Sequence, residues 1–145
     1  MCTSFKVESW KGIHALGTTV TRAGTAADTI KAALFLASAS LGAGTTAYSS
    51  TGEVSGSGYS AGGVTVTNAT APNSSGTTAF WTPSASLVYS GVTLSTAFDA
   101  VLLYNSTQGD KAISVHTFGS QTVTAGTFTL TMPTNDASTA LLRFA

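Results

Sequence analysis

The sequence predicts an all-β chain, a single β-sandwich of jelly-roll or immunoglobulin-like type with one short N-terminal helix. Three observations predict it. Apolar and Thr/Ser residues alternate with a period of two along much of the chain. Turn chemistry recurs about every eight to twelve residues, the spacing of short strands in a sandwich or barrel. After residue 16 no strong helical pattern appears.

The helix is expected over Ser4–His14, where Val7, Trp10, Ile13 and His14 fall at three- and four-residue spacings. Thr3 or Ser4 can cap it, Glu8 and Lys11 can pair, and Gly12 and Gly17 limit its length. Residues 17–27 read as loop. Asp28–Ala37 admits either a strand, with Ile30, Ala32, Leu34 and Leu36 on one face, or a helix with Ile30, Leu34, Ala37 and Leu41 in a stripe. The strand is favoured. Residues 42–63 carry seven glycines with Tyr48 and Tyr59 as the aromatics, and read as a long ordered loop with one helical turn near Thr45–Tyr48. Loops of that length in compact domains tend to be functional.

Val64–Thr70 alternates as a strand and ends at Pro72-Asn73, Thr77–Trp81 is a second, and Ser86–Leu94 a third, broken at Gly91. The last third of the chain, Thr96–Ala145, organises the rest. It reads as three strands, Thr96–Tyr104, Lys111–Phe118 and Gln121–Met132, followed by the apolar tail Ala140–Phe144. Asn105–Asp110 is the first connection, and Gly119-Ser120 has the chemistry of a tight turn. In the third strand Phe128, Leu130 and Met132 share one face and threonines the other.

The 145 residues suit one domain, 1–145, with a helical segment over 1–16 and the glycine-rich loop over 42–63. Only 8% of the residues are charged, six basic against six acidic, where about 25% is usual. Ser and Thr supply roughly a third of the chain and must cover the surface instead. A neutral, weakly charged surface opposes association little, so the chain is expected to work assembled. The charge balance does not suit nucleic-acid binding. Cys2 alone cannot build a disulfide framework. Without an apolar leader or a run long enough to span a bilayer, synthesis in a cytosol and no membrane association are expected.

The chemistry-bearing residues are dispersed. Glu8, Asp28, Glu53, Asp99, Asp110 and Asp136 form no adjacent acid–base pair, and His14 and His116 lack metal-site spacing. No nucleophile-elbow sequence accompanies the many serines, and His116 reads as an imidazole hydrogen-bonded on a sheet face. Gly56-Ser-Gly58 and Gly62-Gly63 precede a strand-like segment, so they read as turn glycines rather than a phosphate cradle. The Asn-X-Ser/Thr matches at Asn68, Asn73 and Asn105 read as chance. Trp10, Tyr48, Tyr59, Trp81 and Tyr89 read as core more readily than as a sugar-stacking platform. No catalytic, metal or cofactor site is expected.

Several stretches together resemble a family of small tailed-bacteriophage virion proteins. They are Ser4–Glu8 with Gly12–His14, Ile30–Phe35, Thr45–Tyr48, Gly52–Gly63, Leu102–Asn105, Ala125–Phe128 and Pro133–Asp136. Pro83–Thr96 departs from the family's pattern. The resemblance implies a head decoration, cement or head-fibre protein located on the capsid surface, with no cofactor and no catalytic residue to carry over. It also favours the strand over 28–37 and makes 52–63 the family's signature. The expected partners are the major capsid protein and the chain itself, as a homo-oligomer, foremost a trimer. Trp10, Tyr48 and Tyr59 are the expected protein-contact residues. A tail or neck component is the nearest alternative, and a carbohydrate-binding β module a more distant one.

Overall fold

The chain is described by a computed structural model covering residues 1–10, 12–17, 26–68 and 70–145, with the side chains of Val7 and Trp10 outside that description. Among the described residues one helix, α1 (Thr3–Trp10), is followed by seven strands: β1 (Ile30–Leu36), β2 (Val64–Thr65), β3 (Asn73–Ser75), β4 (Thr78–Trp81), β5 (Leu87–Asn105), β6 (Lys111–Leu130) and β7 (Leu142–Phe144). The strands form two antiparallel sheets, ordered β2-β1-β5-β6 and β3-β4-β7. The all-β class with one N-terminal helix is what the chain builds. The second sheet consists of strands of three and four residues, which fall short of the paired full-length layers of a jelly roll or immunoglobulin sandwich.

The helix is shorter than the sequence predicts, and its end has a local cause. Gly12 has φ 67°, its N–H bonds the carbonyl of Ser9, and the N–H of Ile13 bonds that of Glu8. This is the Schellman pattern, which a glycine after the last turn favours because a left-handed residue there carries no Cβ penalty. Phe5 is the buried anchor of α1, stacked on Phe144 of β7 at 6.1 Å and packed on His14 at 4.7 Å. The expected Glu8–Lys11 pair lies outside the described residues at Lys11. Glu8 instead joins Lys111 and His14.

β1 takes the strand alternative and is central. Ile30, Ala32, Ala33, Leu34 and Phe35 are all buried, so both faces are covered. On one side β1 pairs with β5, from Ile30–Asn105 to Leu36–Phe98. Its other edge is shared. Val64–Thr65 and the N–H of Val66 cover its first half, and Gly52–Val54 covers its second through the Phe35–Glu53 bridge. The strand expected over Val64–Thr70 is therefore only two residues long. After Val66 the chain leaves β1, and the Thr67 carbonyl accepts from Ser84. No helical turn forms near Thr45–Tyr48. Ala47 bridges Lys111 there, in extended pairing. The sequence reading also missed β3, which turns into β4 through Gly76 at φ 57°.

The largest departure concerns the last third of the chain. Gly91 breaks nothing, and Gly119-Ser120 is not a turn. β5 and β6 are single strands of 19 and 20 residues joined at 106–110 in one long hairpin. The turn-like residues sit in bulges: the pairing skips a residue of β5 near Gly91 (φ 63°), one of β6 near Ala125 (φ 44°), and more around Ser95–Ala97 and Phe118–Ser120. Bulges on both strands offset one another, so the ladder resumes each time.

They also bend it. The Tyr89 hydroxyl donates to the carbonyl of Ala32 at 2.9 Å, although Ala32 pairs with Leu103. A straight strand would hold Tyr89 and Leu103 roughly 45 Å apart, at about 3.3 Å per residue. The outer half of the hairpin must therefore curl back over β1. The glycine-rich loop lies in the fold so formed, bridged at Ser57 to Thr93 of β5. At Gly56 a Cβ would run into the carbonyl oxygen of Thr93, and at Gly63 (φ 69°) into that of Ala32. Glycine is needed at both because backbone meets backbone there.

Candidate functional site

The glycine-rich loop is held by a carboxylate. Glu53 sits between Tyr48 and Tyr59 in sequence, and in the bridge to Phe35 its side chain turns back toward both rings. Oε2 accepts from the Tyr48 hydroxyl at 2.6 Å, and Oε1 accepts from the Tyr59 hydroxyl at 2.7 Å and from the Gly62 N–H at 2.8 Å. The Tyr59 oxygen in turn accepts the N–H of Leu34 at 3.0 Å. Tyr48 stacks on Tyr104 at 4.6 Å, and the Tyr104 hydroxyl donates to the Gly62 carbonyl at 2.8 Å. Tyr59 stacks on Tyr89 at 6.1 Å. All four tyrosines of the chain thus serve one clasp that ties 48–62 to β1 and β5.

Burial is the main cause that pushes all four hydroxyls above the ordinary tyrosine range, with the Glu53 charge adding to it; Tyr104 is pushed up to about 12. The hydroxyls therefore act as donors and not as bases. Tyr48 and Tyr59, expected as protein contacts, are half-buried and spend their hydroxyls within the chain. Trp10, the third expected contact, closes α1, and its side chain lies outside the described residues.

A second polar cluster lies at the hairpin turn. Asp28 and Asn105 are buried. Asp28 Oδ2 accepts from the Ala15 N–H and from Asn105 Nδ2, both at 2.7 Å, and Oδ1 accepts from Gln108 Nε2 at 3.0 Å. Asn105 Oδ1 takes the N–H groups of Thr107 and Gln108, which fixes the amide's orientation and turns Nδ2 toward His14 Nδ1 at 3.0 Å. Nδ1 is then the acceptor, and Nε2–H donates to Glu8 Oε2 at 2.9 Å. The Lys111 ammonium bonds Glu8 Oε1 at 2.9 Å. Burial opposes the Glu8 charge, but hydrogen bonds from Lys111 and His14 outweigh it and hold the carboxyl below its usual range.

The line Lys111–Glu8–His14–Asn105–Asp28 could suggest a proton relay. Both ring nitrogens of His14 are occupied within it, however, and its side chain is only 1% exposed. The cluster pins the N-terminal segment to the hairpin turn. His116, the other histidine, bonds Ser114 Oγ at 2.9 Å beside a cavity of about 140 Å³ lined by Val101, Leu103, Phe118, Met132 and Leu141. Burial pushes its ring down to about 4. Ser114 is fully buried, so this pair presents no accessible hydroxyl.

Glu53, Asp28 and Asn105 are not legible as a set because each sits in or beside a loop-like polar stretch, far in sequence from the groups it meets. The flanking of Glu53 by Tyr48 and Tyr59 was the one usable signal. Comparison with protein-family models, curated proteins and solved structures finds no match for this chain.

Proposed function

We propose that this chain is a structural, non-enzymatic protein of a bacteriophage virion that binds the major capsid protein and cements or decorates the head. The observation that carries the reading is how the chain spends its polar groups. Half-buried Glu53 and buried Asp28 are saturated by internal donors that hold the loop and the hairpin turn. The outer half of the hairpin shows solvent a nearly uncharged surface of Thr122, Thr124, Thr127 and Thr129. Such a face can be covered by another protein with little desolvation of charge. Among the segments that resemble virion proteins, 30–35, 45–48, 52–63 and 102–105 contribute to the clasp, so that part of the resemblance falls on the scaffold.

The test is binding of the purified chain to particles that lack it. Saturable binding at hundreds of copies, competed by soluble major capsid protein, is the expected result. A dozen copies or fewer would place the chain at the neck or tail, and no binding would overturn the reading.

A further inference from the structure

The inner edge of β6 pairs with β5 throughout. Its outer edge is covered only at the start, where Ala112 donates to the Thr46 carbonyl and Ile113 accepts from Cys2. From Ser114 to Leu130 no strand among the described residues pairs with that edge. Natural sheets guard exposed edges with charge, proline, bulges or shortness. This edge has the bulges near Phe118–Ser120 and Ala125, but no charged residue occurs from Ala112 to Asn135 and no proline from Ala112 to Met132. Beyond the second bulge β6 runs from Gly126 to Leu130 with no extra residue of its own, the Gly91 bulge lying on β5 across from its first part. On its inner face Phe128 and Leu130 are only half-buried, as are Val123 and Met132 on either side of it. On its outer face Thr127 and Thr129 are exposed.

We infer that this edge is a self-association surface, on which β6 pairs antiparallel with β6 of a second copy about a two-fold axis near Phe128. Three features select a second copy as the occupant. An uncharged edge meets its own image without the like-charge repulsion that opposes symmetric strand pairing. The two-fold register sets Thr127 opposite Thr129 of the other copy on one face and ring beside ring on the other, so each row meets its own chemistry. The partner must also offer a regular, unpaired run of similar length. Among the described residues the other sheet edges are β2, β3 and β7, of two or three residues, so β6 is matched by itself. A contact of one patch with itself closes as a dimer. A trimer would require two different matching edges. This inference does not rest on the virion reading, since it concerns the purified chain.

Sedimentation equilibrium of the full chain at micromolar concentration is the first measurement, and a dimer is expected. The double variant Thr127→Lys/Thr129→Lys should weaken the dimer about tenfold or more, with an unchanged far-UV spectrum and a partial recovery at high salt. In a Cys2→Ser background, a mixture of the Thr127→Cys and Thr129→Cys chains should cross-link more readily than either chain alone, because those two positions face each other across the axis, and Thr122→Cys should cross-link least. The cross-linking pattern stands as the test if the lysine variant fails to fold. A monomer at high micromolar concentration, a trimer, or a dimer indifferent to both sets of variants would each overturn the proposal. Loss of capsid binding by the lysine variant of a monomeric chain would also overturn it, by assigning the edge to another protein.

Discussion

The two halves of the β5–β6 hairpin are built from similar residues and live in different surroundings. Next to the turn, every residue from Ala100 to Asn105 is buried, with His14 bonded to Asn105 on one face and Tyr48 of the glycine-rich loop stacked on Tyr104 on the other. Farther out, from Leu87 to Phe98, burial alternates. Leu87, Tyr89, Val92 and Leu94 are buried, while Val88, Ser90 and Ser95 are exposed. On β6 the same change runs from buried Ala112, Ile113 and Ser114 to exposed Thr127 and Thr129. The comparison teaches that a strand's role is set by what lies across each face. The inner half is core, and the outer half is a one-sided sheet whose second face and free edge remain available.

Substitutions can break this contrast. Leu102 is fully buried next to the turn, and Leu102→Ala should cost about 3–4 kcal/mol, as lost transfer energy plus an unfilled cavity. Urea unfolding would measure it, and a loss below about 1 kcal/mol would contradict a two-sided core there.

Glu53→Ala should cost somewhat less, about 2–3 kcal/mol, since it strips partners from the Tyr48 and Tyr59 hydroxyls and the Gly62 N–H together. Hydrogen exchange sharpens the test. Protection should fall at Gly62 and Leu34 while the amides of 126–130 are unaffected.

At the boundary between the halves, His116 should make stability depend on pH. The folded chain keeps its ring neutral down to about 4, whereas the unfolded chain protonates it near 6.5. The unfolded state therefore binds more protons in that window. The associated stability, of order 2 kcal/mol, is complete above pH 6.5 and is lost as the pH falls toward 4. His116→Gln should flatten that part of the profile, and urea midpoints at pH 7 and pH 4.5 would show whether it does.

The smallest effect belongs to the outer face. Thr129→Ala should change the stability of the monomer by less than about 0.5 kcal/mol, since it removes an exposed side chain from a one-sided strand. Measurement at nanomolar concentration separates this from any effect on association.

Much of the fold was legible, and the misses share a cause. The alternation of Phe128, Leu130 and Met132 with threonine was legible as strand, whereas the apolar run of Ile30–Leu36 fitted strand and helix alike and only the pairing with β5 decides it. The Gly119-Ser120 pair has the chemistry of a tight turn, yet β6 runs through it, because β5 carries its own extra residues around Ser95–Ala97 and stays alongside. Gly91 misled in the same way. A glycine reports that the backbone can leave regular geometry there. Whether the chain reverses or bulges depends on a partner strand far away in sequence. Tyr48 and Tyr59 read as outward contacts because Gly/Ser/Tyr-rich loops often are, and the Glu53 carboxylate drew both inward.

By itself the sequence determined the β class, the helix at the start and the neutral, Thr-covered exterior. All of these follow from local rules: the two-residue period of a pleated strand, the cap and stop residues of a helix, and the hydration of hydroxyls. Tertiary structure alone decided that β5 and β6 make one bent hairpin, that Glu8 meets Lys111, and that four tyrosines converge around Glu53. Those outcomes depend on groups brought together from distant parts of the chain. Their pairing energies exist only once the sheet has closed around the loop.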